Sequence, residues 1–147
     1  HLKFLGPEPL TKQFNLEYII KYMINKKKNI KDLLMDQKFV SGLGNIYCNE
    51  ILFLCKIHPL RKIEKVNKKE LRNIVKFTKK ILNKSITEGG SSIKNFSNAK
   101  GKNGKFQLKF NVYNREKSRC NRKNCSGSIK KIHTSNRSSF FCSECQK

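Results

Sequence analysis

Acidic residues are scarce in this chain. Ten Asp and Glu stand against 33 Lys and Arg in 147 residues, a formal net charge of +23. Such a surplus implies a polyanionic partner, for which nucleic acid is the default. Arginine is scarce too: Arg61, Arg72, Arg115, Arg119, Arg122 and Arg137 are the whole set, and lysine supplies the rest. A composition rich in Lys, Asn and Ile is what an AT-rich coding sequence produces. Part of the charge is therefore compositional, and the few arginines are the more informative basic residues. Long apolar runs are missing, which excludes a helix crossing a bilayer, and no signal-peptide pattern opens the chain. Internal repeats are missing as well. A cytoplasmic, reducing setting is the expectation. The chain opens on His1 rather than Met, so it is expected to be either processed or a piece of something longer.

What the sequence does have is a tail with four cysteines in two pairs. Four residues lie between Cys120 and Cys125, two between Cys142 and Cys145, and sixteen between the pairs. Close pairs joined by a hairpin-length insert match the spacing of a structural zinc site, since each pair can offer two thiolates from one turn. The insert reads as two strands, Ser128–Thr134 and Arg137–Cys142, joined by a tight turn at Ser135-Asn136. Two disulfides could staple the same hairpin, but a reducing compartment favours metal. Zinc would supply much of the tail's folding free energy, leaving roughly the first 115 residues to build a core of their own. Cys48 and Cys55 read as small buried hydrophobes.

The body reads as mainly helical. Pro7 and Pro9 keep the lead-in extended. Thr11 is the expected cap of a first helix whose apolar stripe is Phe14, Ile19, Ile20, Met23 and Ile24, ending at Lys26-Lys27-Lys28. Asn29 is expected to cap a short helix from Ile30 to about Asp36. The chain then turns through Ser41, Gly42 and Gly44, and a further helix runs from Asn45 to about Lys56. With Asn45 as its cap, that helix would present backbone N–H groups to an anion. A loop that merely connects two core helices is the plainer alternative. Asn67 and Glu70 form a capping-box start for a helix to about Thr87, closed by Gly89-Gly90. Ser91 to Lys105 reads as loop, and alternation from Phe106 to Tyr113 as a half-buried strand. Two units follow: a helical one over 1–105, and a strand plus metal finger over 106–147.

Several stretches resemble, in order and along nearly the whole chain, the formamidopyrimidine-DNA glycosylase branch of the Fpg/Nei family. They are Leu5-Gly6-Pro7-Glu8-Pro9-Leu10, Met35-Asp36, Gly42-Leu43-Gly44-Asn45-Ile46-Tyr47 with Glu50, Ile57-His58-Pro59, Gly89-Gly90 through Asn95-Phe96, Val112-Tyr113, and Cys142-Ser143-Glu144-Cys145-Gln146-Lys147. The resemblance implies a mainly α fold, a helix-two-turn-helix bundle followed by a small β zinc finger, a hairpin whose ion is held by four cysteines. It implies a monomer that binds damaged double-stranded DNA, without a membrane, in a bacterial cytoplasm at the nucleoid. The family excises oxidised purines such as 8-oxoguanine and formamidopyrimidines, then nicks the abasic site by β,δ-elimination. Its nucleophile is an N-terminal proline in a separate domain that has no counterpart in these residues, so this chain alone is expected to be inactive. By the same resemblance Cys120, Cys125, Cys142 and Cys145 are the zinc ligands, although the four-residue first spacing departs from the commoner two. Asn45 contacts phosphate. Arg137 grips the phosphates flanking the lesion and donates a proton in δ-elimination. Lys27, with Lys26 and Lys28 beside it, touches the DNA backbone, and Lys102 sits on the loop over the flipped base. A non-catalytic zinc-dependent DNA-binding module is the competing expectation, and a zinc-ribbon protein of transcription or the ribosome a third.

Overall fold

The structure, a computed structural model, describes residues 4–87 and 109–147. The glycine stop after the long helix, Lys102, the first three residues of the expected 106–113 strand and the expected boundary between 105 and 106 lie outside the described residues.

Helix α1 is Leu16–Met23. Its start differs from the expectation: Asn15, not Thr11, is the cap, in extended backbone with its side chain accepting the Tyr18 N–H. Thr11 instead closes a turn onto the Glu8 carbonyl at 2.7 Å. That turn lets Phe14 drop fully into the core before the helix begins. A helix of two turns buries only a narrow stripe, so Ile19 is inside whereas Ile20 and Ile24 remain exposed. Helix α2, Ile30–Met35, starts as expected on Asn29, whose side chain accepts the Asp32 N–H.

Residues 36–44 form the double turn. Asp36 accepts the Lys38 N–H through its carboxylate and the Phe39 N–H through its carbonyl, both at 2.9 Å. The Gln37 side chain accepts the Gly42 N–H at 2.8 Å. The lead-in braces this turn from below. Gly6 donates to the Gln37 carbonyl and Pro7 accepts from Ser41. A Cβ at Gly6 would lie 2.3 Å from the Phe39 carbonyl oxygen, so only glycine permits that approach.

Helix α3, Asn45–Cys55, follows and is buried at eight of its eleven positions. It packs against α2, against α4 (Lys68–Thr87) and against the later hairpin. A helix covered on so many sides has no solvent face for its polar residues, and Asn49 and Glu50 are each 1 % exposed. Both must find partners inside. Helix α4 starts at the expected box: Asn67 accepts the Glu70 N–H at 2.8 Å and Glu70 accepts the Asn67 N–H at 3.0 Å. Glu70 also meets Arg61. Burial opposes its charge, but the Arg61 and Asn67 donors outweigh that and hold its carboxyl below the usual range. Arg61 reaches on to the Lys147 carbonyl, and Gln146 donates to the Ile57 carbonyl. The tail is thus laced to the loop after α3.

Strands β1 (Ile129–Thr134) and β2 (Arg137–Cys142) pair antiparallel, Ile129 opposite Cys142 and Thr134 opposite Arg137. Ser135 and Asn136 both take positive φ, 51° and 62°, which suits the right-handed twist of a two-residue hairpin. Residues 111–113 are not strand, contrary to the alternating pattern. They curl around the Glu50 carboxylate, which accepts the backbone N–H groups of Asn111, Val112 and Tyr113 at 2.8–2.9 Å. Buried amides satisfied by one carboxylate need no sheet partner. The main apolar cluster holds α1–α4 together. A second gathers Phe53 of α3 with Val112, Cys120, Ile129, Phe140 and Cys142.

Replacing Glu50 by Ala strands one buried and two partly buried N–H groups, so a loss of about 3 kcal/mol in urea unfolding is expected, with Glu50→Gln losing less. An unchanged midpoint for Glu50→Ala would show that the 111–113 segment does not depend on this carboxylate.

Candidate functional site

The double turn and the start of α3 present exposed backbone at Gly42 and Gly44. Gly42 has φ +92°, a conformation that favours glycine, whereas Gly44 is extended. A Cβ at either would meet nothing within 4 Å, so the turn is open to an approaching body. Gly44, not Asn45, is the helix cap, and it offers no side-chain hydrogen bond to the first turn. Asn45 is the first helical residue. Its amide faces sideways and donates to the Ser138 carbonyl at 3.0 Å. The N-terminus of α3 therefore keeps its partial positive charge for an outside group.

Ser138 adjoins Arg137, and its carbonyl is a junction. It accepts from Lys31 Nζ at 3.0 Å, Asn45 Nδ2 at 3.0 Å and Asn49 Nδ2 at 3.4 Å. Lys31 also donates to Ser139 Oγ at 2.6 Å, and Asn49 Oδ1 accepts the Phe140 N–H at 2.8 Å. Side chains from α2 and α3 thus fix the first half of β2. Arg137, exposed at the turn, projects from a backbone locked to the start of α3. Asn45 thus bonds the carbonyl next to Arg137, two positions separated by most of the chain.

Lys31 is what the sequence reading missed. It is 4 % exposed, and burial pulls its amine down to about 8, against the opposing pull of Cys48 and Asp32 and with help from Arg137. One more lysine in so basic a chain carries no signal of burial. Of the neighbouring trio, Lys26 lies over the Tyr22 ring and Lys28 meets Asp36 at 3.2 Å, while Lys27 is exposed on the loop between α1 and α2. Lys102 lies outside the described residues.

The four tail cysteines converge. Their sulfurs all lie within 4.8 Å of one another, with Cys120 to Cys145 at 4.0 Å and Cys125 to Cys142 at 3.5 Å. A tetrahedral ion with metal–sulfur bonds of about 2.3 Å needs sulfur–sulfur edges of ~3.8 Å, so the cluster fits one. All four are free thiols. Burial disfavours ionisation of Cys120, Cys142 and Cys145. The Cys145 and Glu144 N–H groups nonetheless hold Cys142 at about 7, while Cys145 is pushed up to about 12 by burial and by Cys142. Four thiolates this close cannot all carry charge unaided, and a divalent cation removes the conflict. Cys48 and Cys55 stand apart, buried with thiols pushed up to about 12, as inert core groups.

Lys31 sets a pH dependence. Its folded pKa lies below the ordinary 10.5, so between about 8 and 10.5 the unfolded chain binds more protons and stability gains from this group as pH rises. Lys31→Met should abolish that gain relative to the parent in urea titrations across the window. Parallel pH profiles for the two proteins would show that the buried amine stays charged.

Residues 5–97 match the model of the formamidopyrimidine-DNA glycosylase H2TH domain. A formamidopyrimidine-DNA glycosylase of Roseobacter denitrificans is 44% identical over 146 residues, 99% of this chain and 52% of that protein. One of Zymomonas mobilis is 42% identical over 147 residues, 100% of this chain and 53% of the relative. The Lactococcus lactis enzyme bound to DNA containing an abasic site superposes with TM-score 0.82 at 34% identity, covering 99% of this chain and 52% of that one. The same enzyme with a FAPY-dG-containing DNA gives 0.83 at 34% identity, again 99% and 52%. The chain spans about half the length of the relatives it matches, among which it belongs: it is a member of the formamidopyrimidine-DNA glycosylase family.

Proposed function

We propose that this chain is the part of a bifunctional DNA glycosylase/AP lyase that clamps damaged duplex DNA while an oxidised purine is drawn out of the stack. The observation that carries this reading is the Ser138 junction, which ties the Arg137 turn to the start of α3. Extruding a base costs a few kcal/mol of stacking and pairing, so the flanking phosphates must be held meanwhile. The uncapped start of α3 suits one phosphate. Arg137 can fork onto another with two parallel hydrogen bonds, which lysine cannot do. Both grips read backbone rather than sequence. Lys27 and Lys102 are further backbone contacts in this reading, and action as a monomer at the bacterial nucleoid belongs to it; the relatives that support it are bacterial. Units over 1–105 and 106–147 correspond to the bundle and the finger.

Zinc is the metal this reading assigns to Cys120, Cys125, Cys142 and Cys145. Four soft thiolates with closed coordination suit a structural ion. The zinc holds the hairpin that carries Arg137. Excision and β,δ-elimination belong to the whole protein, with Arg137 as proton donor in the second elimination. The family resemblance places the amine nucleophile in the half of the relatives not spanned here. A non-catalytic binding module is therefore the second reading.

Arg137→Ala should weaken binding to lesion-containing duplex roughly tenfold or more and reduce the salt slope by about 1, with Arg137→Lys recovering only part. Unchanged affinity and slope for Arg137→Ala and Asn45→Ala would exclude the clamp. Borohydride trapping on abasic duplex is expected to yield no adduct with this chain alone. An adduct would reveal a nucleophile within these residues and rule out the non-catalytic module. Chelation should abolish DNA binding while leaving most of the helical circular dichroism, and retained binding would separate the metal from the clamp.

A further inference from the structure

The six-residue knuckle Cys120-Asn121-Arg122-Lys123-Asn124-Cys125 contains an arginine with three simultaneous contacts. Arg122 Nη1 donates to Cys145 Sγ at 2.8 Å, Nη2 donates to the Phe53 carbonyl at 2.9 Å, and the guanidinium lies 4.1 Å from the centre of the Phe53 ring. The longer spacing makes this reach possible. Asn124 takes a left-handed φ of 66°, and the Cys125 N–H closes a turn onto the Arg122 carbonyl at 3.1 Å. The Arg122 side chain is thereby free to cross the cluster to the opposite cysteine pair and on to α3. Phe53 lies in the last turn of α3, where its carbonyl also accepts the Lys56 N–H at 3.1 Å and the helix terminus favours a cation.

The four thiols are not equally protected. Cys120 and Cys142 are buried, at 5 % and 0 % exposure, whereas Cys125 and Cys145 are half-buried. Of these two, Cys145 receives the Arg122 guanidinium. Among the described residues, the nitrogen donor to Cys125 is the Gly127 N–H at 3.5 Å. A charge-assisted hydrogen bond draws electron density from a sulfur and blocks one face of it. A thiolate held only by a long amide contact remains the better nucleophile.

We infer that Arg122 positions and shields the Cys145 thiolate and pins the metal cluster to the end of α3, so that Cys125 is the ligand at which electrophiles enter. This rests on the proposal that the four cysteines hold zinc. In the modification step the Cys125 sulfur attacks an alkylating carbon, a sulfur–carbon bond forms, and the carbon–halide bond breaks with loss of halide. No proton moves, because the metal already holds the sulfur deprotonated. The resulting thioether is a weaker ligand and the ion is released. Arg122 thus couples the cluster to α3, whose other end carries Asn45.

The test is limited iodoacetamide treatment of the zinc-loaded 147-residue chain, with the modified cysteine mapped by mass spectrometry and zinc release followed with a chromogenic chelator. One zinc per chain is measured first. In the parent, Cys125 should be carboxamidomethylated before Cys145, with zinc release tracking that event. In Arg122→Met, Cys145 alkylation should rise about tenfold relative to Cys125, the equivalent of a charge-assisted hydrogen bond lost, and Arg122→Lys should restore part of the selectivity. In cobalt-substituted protein the thiolate-to-metal charge-transfer band should move to longer wavelength in Arg122→Met. Selectivity in the parent stands as evidence even if Arg122→Met folds poorly. Full zinc loading with equal labelling of Cys125 and Cys145, or with selectivity unchanged in both variants, overturns this inference alone. Failure of the parent chain to bind one zinc overturns the metal reading and this inference together.

Discussion

Everything in this molecule leans on the polar edge of one buried helix. Helix α3 is covered on most sides, yet it carries Asn45, Asn49 and Glu50 among its apolar residues. A buried carboxylate or carboxamide is tolerated only with its hydrogen bonds made. Here the backbone of the C-terminal third makes most of them: 111–113 close on Glu50, Phe140 closes on Asn49, and Ser138 takes the Asn45 Nδ2, while the Asn45 Oδ1 has no hydrogen-bond partner among the described residues. The two parts of the chain are therefore joined by directional contacts rather than by apolar adhesion alone. Apolar surfaces can slide, but a carbonyl held by three donors cannot without leaving buried groups unpaired.

That rigidity gives the geometry its meaning. In the proposed reading, holding a duplex around an extruded base demands fixed grips, because a few kcal/mol of lost stacking must be offset by contacts that cannot relax. A lysine-rich surface supplies attraction and steering but little precision. The precise element is an arginine on a two-residue turn, with Lys31, Asn45 and Asn49 behind it and a cysteine cluster at the far end of its strand. Lys31 shows the tension involved. Burial disfavours its charge, and two oxygens from β2 keep it there as a donor.

Much of the local structure was legible because it depends on residues close in sequence. Asn29 and Asn67 cap their helices, Glu70 completes its box, and Ser135-Asn136 turns the hairpin. These are contacts within three or four residues, set by side-chain length and backbone preference. Where the structure differs, one reason is local and the other is long-range. Thr11 and Asn15 are both competent caps, and the burial of Phe14 chose between them. Alternation at 106–113 promised a strand, but at 111–113 the carboxylate of Glu50, some sixty residues away, satisfied the amides instead.

The cysteine spacing, the glycine turn, the placement of Asn45 in a recognisable stretch and that of Arg137 beside the hairpin turn were determined by the sequence alone, and with them the family. Only the tertiary structure decided that Asn45 is a strut rather than a cap, that Lys31 is buried, and that Arg122 bridges Cys145 to α3. The physical reason is range. Caps and knuckles are settled within a turn of chain, whereas the partner of a buried charge is settled by whichever distant backbone the apolar core brings against it.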